Sequence, residues 1–516
     1  MTPCTSALAS DDLAVALGPA NPKLLMPRIS PKEVRSYQFF LEVTAPALAG
    51  SFDAEFWCRD LPKVCVADPA LWHSIVTLGA VHEAYGQKEM NSEARNLFAL
   101  QQYSAAIRCL VESKSPRHAD RWRALTVSAV FTCVCIMQGL HQQMYVHLAA
   151  GCNIIRELQD EEKTKHPRPM TRDQHIGMSS IPINLHPVRN ILFQFEIMAQ
   201  AMGEGGCSSQ HHLDILAQSD NFGFWRSYRT PRVPTETPRL GMRENIIEAC
   251  RAAESLLNGI ALWGQENVTD IGALYLGQSS LVMYDVLISK QAALVKCYRE
   301  LLKSLSNFQK EMVSDVPQGV DRQIRMLDLM LATARLLFLS DPDIPDMAER
   351  AARTPELCEK ILDLCESLIE SDEACQLGGS KIAISSNSQT MHPLFSVAHG
   401  GYSHATRERA LALMRKPRLE GLWETGMNAS LAEAMWTREM VVTQEHLDRQ
   451  RIFGENKVKS HVGPGLQIIT GGSAPPHFRC QSVRMAFTGK REARLVLQTW
   501  AEANSGFPGV EQTISW

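Results

Sequence analysis

Between Arg123 and His141 the chain runs for seventeen residues, Ala124 to Leu140, without a charged side chain or a histidine. In a helix from about Asp120 to Gln138, the residues Leu125, Val127, Val130, Phe131, Val134, Ile136 and Met137 fall in every direction of the wheel, leaving no face for water. Such a helix is stable in a bilayer or enclosed by other helices. The run is one residue short of the usual spanning threshold and carries Thr126, Ser128, Thr132 and Gln138. An enclosed helix is the better reading, with no membrane as partner, and the chain must supply its neighbours.

The candidates lie near 69–86, 95–112 and 141–158. Asp68-Pro69 starts the first, whose stripe Leu71, Ile75, Leu78 and Val81 is apolar up to His82. The second places Leu97, Leu100, Tyr103, Ile107 and Leu110 on one face, with Arg95 and Arg108 outside. The third is small-sided around Ala149-Ala150-Gly151. Upstream, Ser30 and Glu33 form a capping box with Pro31 at the first helical position. That helix is expected to stop before Pro46, and Phe52, Phe56 and Trp57 make an aromatic elbow after it. Residues 1–29 read as a mobile leader. The fold class is all-α, an irregular multi-helix bundle or array with no repeat period near thirty-four residues.

Downstream, 159–186 and 203–241 read as irregular segments, the second stiffened by Pro231, Pro234 and Pro238. A helix is expected over about 188–202, and others over about 243–263, 270–304, 319–340 and 355–372, with a Gly/Ser-rich loop around 378–390. An arginine-rich helix, Arg407 to Met414, precedes the run Arg418-Leu419-Glu420-Gly421-Leu422-Trp423 and a further helix near 432–439. From about 446 to 516 the texture is that of a docked tail. Short β-like pieces lie at 463–472 and 483–487, with room for one small hairpin, and a final amphipathic stretch, read as helix, runs from Glu492 to Ala503.

The order of these signals resembles the regulatory region of fungal zinc-cluster (Zn2Cys6) transcription factors, the fungal-specific transcription factor domain. The capping-box helix, the aromatic elbow, the Asp68-Pro69 helix, the R-x-E-G-x-W turn and its flanking helices carry the resemblance, which spans most of 30–440. It implies one helical regulatory domain over 30–445, a nuclear location and a role in regulating transcription, often of a metabolic or secondary-metabolite gene cluster. Implied partners are other transcription factors or co-regulators, or a second copy in a homodimer, with DNA reached only indirectly or through a module absent from these residues.

The family's DNA-binding module needs two C-x-x-C pairs, each with a further cysteine, around two zinc ions. The 516 residues hold fourteen cysteines and no C-x-x-C. Cys58/Cys65 and Cys358/Cys365 share a C-x6-C spacing, but two sulfurs cannot complete a tetrahedral site, and both pairs read as buried thiols. The net charge of −4, from 52 basic and 56 acidic residues, argues against a nucleic-acid clamp. Two basic patches remain. One is Arg226, Arg229, Arg232 and Arg239 among Phe224, Trp225 and Tyr228; the other is Arg484, Lys490, Arg491 and Arg494. Solvated arginines are favoured over base stacking for both.

Enzyme signatures are absent. Gly463-Pro464-Gly465 lacks a dinucleotide site's third glycine, and Ser279 lacks the closing glycine of a nucleophile elbow. His211/His212 and His141/His147 read as solvated or satisfied rather than ligating. The sequence therefore assigns no catalytic, cofactor-binding or metal residue, and no cofactor. It points to a non-enzymatic transcriptional regulator of the zinc-cluster type without its own zinc cluster. A cytoplasmic helical scaffold is the alternative, or an enzyme whose site is assembled from unlinked residues.

Overall fold

The computed structural model describes residues 29–50, 53–85, 92–112, 117–165, 183, 185, 187–189, 191–192, 242–278, 280–312, 321–344, 346–375, 383–385, 389–400, 403–420, 423–453 and 474–516. These are mainly helical, with small sheets confined to the C-terminal region. The leader, the stretch at 203–241 and the β-like piece at 463–472 lie outside the described residues apart from Ile29. Of the helix expected over 188–202 only residues 188–189 and 191–192 are described, and they are helical. The chain divides into two compact units. One holds the described residues up to 192 with 370–375 and 383–385; the other holds 242–369 and the described residues from 389 onward.

The first unit opens with α1 (Pro31–Phe39). Its capping box is formed as the sequence requires: Glu33 N donates to Ser30 Oγ at 3.3 Å, and Ser30 N donates to the Glu33 carboxylate at 2.7 Å. The expected stop before Pro46 does not occur. A π turn, Phe40–Thr44, carries the helix into α2 (Ala45–Ala49). Proline inside an α-helix deprives the carbonyl four residues back of its donor and presses on it, and a widened turn relieves both effects. A second π turn, Glu55–Asp60, precedes α3 (Leu61–Cys65) with Pro62, and buries Phe56 and Trp57.

At the centre runs α4 (Pro69–Tyr85), buried along nearly its whole length and packed by α1, by α5 (Ser92–Glu112) and by α6 (Arg117–Met137). Asp68 caps it, accepting from Ala70 N at 3.0 Å and Leu71 N at 3.2 Å, and its other oxygen pairs with Arg123. Gly79 is required where α4 meets α1, because a Cβ there would stand 2.2 Å from the Ser36 carbonyl oxygen. The charge-free part of α6, Leu125 to Met137, is buried all round, as its wheel demands, between α4 and α7 (His141–Lys165). Its Thr126 and Thr132 hydroxyls donate to the carbonyls one turn back, at 2.8 and 2.7 Å. Helix α7 runs on to Lys165, through the start of the segment read as irregular.

Helix α5 corrects the sequence reading. Its buried residues are Ala99 and Ala106, which let it lie close against α4, whereas Leu97, Leu100 and Ile107 face outward. Periodicity finds the apolar stripe but not which side of the helix meets the core; here two alanines win because small residues permit the tighter approach.

In the second unit, α8 (Met242–Glu266) packs on α10 (Leu281–Met312) and α11 (Asp321–Leu337). The single helix expected over 270–304 is two, α9 (Val268–Tyr275) and α10. Gly277, at φ 68°, takes the left-handed conformation that ends a helix. Helix α12 (Met347–Cys375) begins two turns before the expected 355, passing through Pro355. Arg350 anchors those turns by donating to the Phe338 and Leu339 carbonyls at 2.7 and 2.6 Å. Strand β1 (Ala383–Ser385) interrupts the Gly/Ser-rich loop and packs with α2 in the first unit.

Helices α13 (Met391–Gly400), α14 (His404–Arg415) and α15 (Thr425–Phe453) pack together, with the strands β2 (Arg418–Glu420) and β3 (Trp423–Glu424) between the last two. The tail is more ordered than one hairpin. Strands β4 (Cys480–Gly489), β5 (Glu492–Thr499) and β6 (Val510–Ser515) form an antiparallel sheet in that order against α15. The final helix read from Glu492 is a strand up to Thr499. Ala493, Leu495 and Leu497 alternate with Arg494, Val496 and Gln498, a period of two. The short helix α16 (Trp500–Asn504) starts at a capping box of Thr499 and Glu502.

Candidate functional site

The R-x-E-G-x-W turn is where the second unit concentrates its buried charge. Arg418 and Glu420 lie on β2 with exposures of 5% and 6%. Arg418 Nε donates to Glu420 Oε1 at 2.8 Å, its Nη1 donates to the Leu413 and Lys416 carbonyls, and its Nη2 to Thr390 Oγ1 at 3.3 Å. Glu420 also accepts from Thr390 N at 2.6 Å, Thr390 Oγ1 at 2.7 Å and Met391 N at 2.9 Å. The carboxylate thus caps the N-terminus of α13, where unpaired N–H groups and the helix dipole favour an anion. Burial alone would raise the Glu420 pKa; the Arg418 charge and these hydrogen bonds outweigh it and hold the carboxyl below its ordinary range. The ion pair thereby ties the start of α13 to the end of α14, and the Arg418 backbone N–H adds the start of α15 by donating to Thr425 Oγ1 at 3.1 Å.

A second buried carboxylate, Glu439 on α15, binds the C-terminal sheet. Its Oε1 accepts from Cys480 N at 3.0 Å, and Arg407 on α14 approaches its Oε2 at 3.7 Å. The Arg407 guanidinium sits 5.1 Å from the centre of the Trp436 ring. His399 stands 3.8 Å from Glu439; burial lowers its pKa, against the pull of that carboxylate. Two further ties follow along α15: Arg438 pairs with Glu502, and Glu424, just before the helix, takes Arg491 and the Trp516 indole. The sequence marks Arg407 only as one of an arginine-rich helix. Its neighbour Arg409 instead reaches outward to Glu359, Asp363 and Glu366 on α12, each at 2.7 Å.

A cleft of about 210 Å³ opens beside the end of α11, lined by Arg335, Asp341, Ile344, Arg350, Arg353 and Leu357 among others. Its cations are engaged by the chain itself. Arg335 pairs with Asp341 at 2.9 Å, Arg350 caps α11, and Lys360 pairs with Asp328 at 2.7 Å. The cleft is a joint held by its own charges.

The residues singled out from sequence do not converge. Cys358 and Cys365 flank Ile361 on the buried face of α12, and Cys65 donates to the Pro62 carbonyl at 3.1 Å. Burial pushes the Cys65 and Cys358 thiols up to about 12 and raises Cys365 too, so none is a nucleophile at neutral pH. His147 packs edge-on against Phe131 and Tyr103, and burial lowers its pKa. Among the described residues no three of His, Cys, Asp and Glu are arranged to hold a metal ion, and no helix is long and apolar enough to cross a membrane.

Ser279, Gly463 to Gly465, His211, His212 and the patch of Arg226, Arg229, Arg232 and Arg239 lie outside the described residues. Of the second patch, Arg491 is spent on Glu424, and Arg484 donates to the Pro508 carbonyl at 3.2 Å. Strand alternation places Arg484 and Arg494 on the same sheet face as Glu492 and Glu511. A face of mixed sign does not track a phosphate backbone.

What remains is a helical body whose buried polar groups position its own elements. Comparison with known families matches residues 35–378 to the fungal specific transcription factor domain. No curated protein and no solved structure matches the chain. The match covers the enclosed helices of the first unit and runs through α8 to α12 of the second, so the chain belongs to the family of the fungal specific transcription factor domain, a family of transcription regulators rather than of enzymes.

Proposed function

We propose that the protein is a nuclear transcriptional regulator of the fungal zinc-cluster type, controlling a metabolic or secondary-metabolite gene cluster through its helical domain. The family match over 35–378 carries this reading. These 516 residues hold no C-x-x-C and carry a net charge of −4, so on this reading they reach DNA indirectly, through other transcription factors or co-regulators or through a zinc-cluster module not among them. Two measurements test it. Fused to a heterologous DNA-binding domain, the chain should change expression of a reporter carrying that domain's site, and a fluorescent fusion should collect in the nucleus. Purified alone, it should hold no zinc stoichiometrically and shift no defined DNA site at physiological salt. A cytoplasmic fusion without effect on the reporter would favour the helical scaffold instead.

A further inference from the structure

The outer face of α5 is apolar without being covered. Leu97 is 58% exposed, Leu100 59%, Ile107 37% and Val111 79%. With the exposed Ser104 they follow the spacing 97, 100, 104, 107, 111, the alternation of three and four that marks the seam of a two-helix coiled coil. The stripe lies roughly 130° around the helix from Ala99 and Ala106, which face α4, so the contacts that hold α5 in the first unit leave it open.

We infer that this face is an interface with a second copy of the chain, two α5 helices crossing antiparallel about a two-fold axis near Ser104. The stripe is nearly symmetric about that residue. Antiparallel pairing sets Leu97 near the partner's Val111 and Leu100 near the partner's Ile107, with the small Ser104 at the closest approach. Charge decides the direction. In a parallel pair the exposed Arg108 would meet the partner's Arg108, whereas the antiparallel pair separates the two by eight residues, about 12 Å along the axis. There each guanidinium lies over the partner's Leu100, with its stem covering apolar surface. The four aliphatic residues expose roughly 400 Å² per copy; the flanking Gln101, Ser104, Arg108 and Glu112 extend this toward the ~800 Å² per partner of a stable complex. A closed two-fold pair also removes the stripe from water without leaving a second apolar face to propagate.

The test uses the full chain. Sedimentation over a concentration series should show a reversible monomer–dimer equilibrium, and Leu100→Glu with Val111→Glu should weaken it by at least about tenfold. Because Leu100 and Val111 are 59% and 79% exposed in the single chain, the helical circular dichroism and melting temperature of the dilute variant should stay unchanged. That separates a lost interface from a lost fold. For orientation, a mixture of Leu97→Cys and Val111→Cys chains should cross-link on mild oxidation, and Val111→Cys alone should not. A wild-type chain monomeric to 100 µM, or a double variant that dimerises as before, would overturn the interface. Efficient cross-linking of Val111→Cys alone would overturn the antiparallel arrangement.

Discussion

Truncating Phe131 to alanine removes the ring on which two halves of the first unit meet. The side chain is 1% exposed, stacked on Tyr103 of α5 at 4.2 Å between ring centres and edge-on to His147 of α7 at 5.3 Å. The ring takes roughly 110 Å² of apolar surface out of water, worth about 3 kcal/mol at ~25 cal/mol per Å². The two aromatic contacts add about 1 kcal/mol, and a partly relaxed cavity brings the total into the ~3–5 kcal/mol seen for such truncations. If the first unit melts as a cooperative body of about 200 residues, that loss lowers its midpoint by roughly 6–20 °C. Differential scanning calorimetry on the intact chain reads it directly, with Gln143→Ala, exposed on α7, as a control within about 0.5 kcal/mol of wild type. A midpoint for Phe131→Ala within a degree of the parent would mean that α6 is not enclosed by α5 and α7.

Glu420→Gln should cost about 3–5 kcal/mol, because Arg418 is left buried without its counter-charge; replacing both by leucine and methionine should cost less than the two single changes together, and an additive cycle in urea would contradict the pairing. His82 is buried against Phe39 and Thr44, and burial lowers its pKa from 6.5 to about 4. A folded pKa below the unfolded one gives stability that is fully present above pH 6.5 and is lost as pH falls from 6.5 towards 4, up to roughly 3 kcal/mol. His82→Gln should flatten that slope in urea titrations, and stability that rises between pH 7 and 5 in the parent would refute the assignment. Of the described thiols, Cys133, Cys250 and Cys365 are fully buried with raised pKa values, so iodoacetamide at pH 7 should leave them unmodified until the chain is denatured. Rapid native labelling of Cys365, seen by peptide mass spectrometry, would show that α12 is not packed as described.

Local signals read well here because they are complete within a few residues. The capping box at Ser30, the start at Asp68-Pro69 and the apolar wheel of α6 each appear in the structure where the sequence puts them. What failed depended on neighbours. Nothing in α5 itself tells that alanines rather than leucines meet α4, and Pro46 stops a helix only if no π turn intervenes. The tail misled because Glu492 to Ala503 fits a helical wheel loosely and a strand strictly; the pairing partners of β5 decide for the strand. The Arg418–Glu420 motif was visible as a string, but its role as the cap of α13 needed Thr390, thirty residues upstream of Glu420, and the Arg407–Glu439 pair had no local signal at all.

The two π turns ahead of Pro46 and Pro62 also act as a gearing. Each admits one residue more than an α turn, so everything C-terminal to it is rotated by about 100° relative to an unbroken α-helix. Leu48, and later Leu61 and Cys65, reach the core in that rotated frame. The prolines therefore do more than punctuate. By making the ordinary α turn unfavourable in front of them, they index the helix to the phase in which its aliphatic side points inward. A sequence edit that removed the ring would keep every contact residue and still dial them to the wrong side.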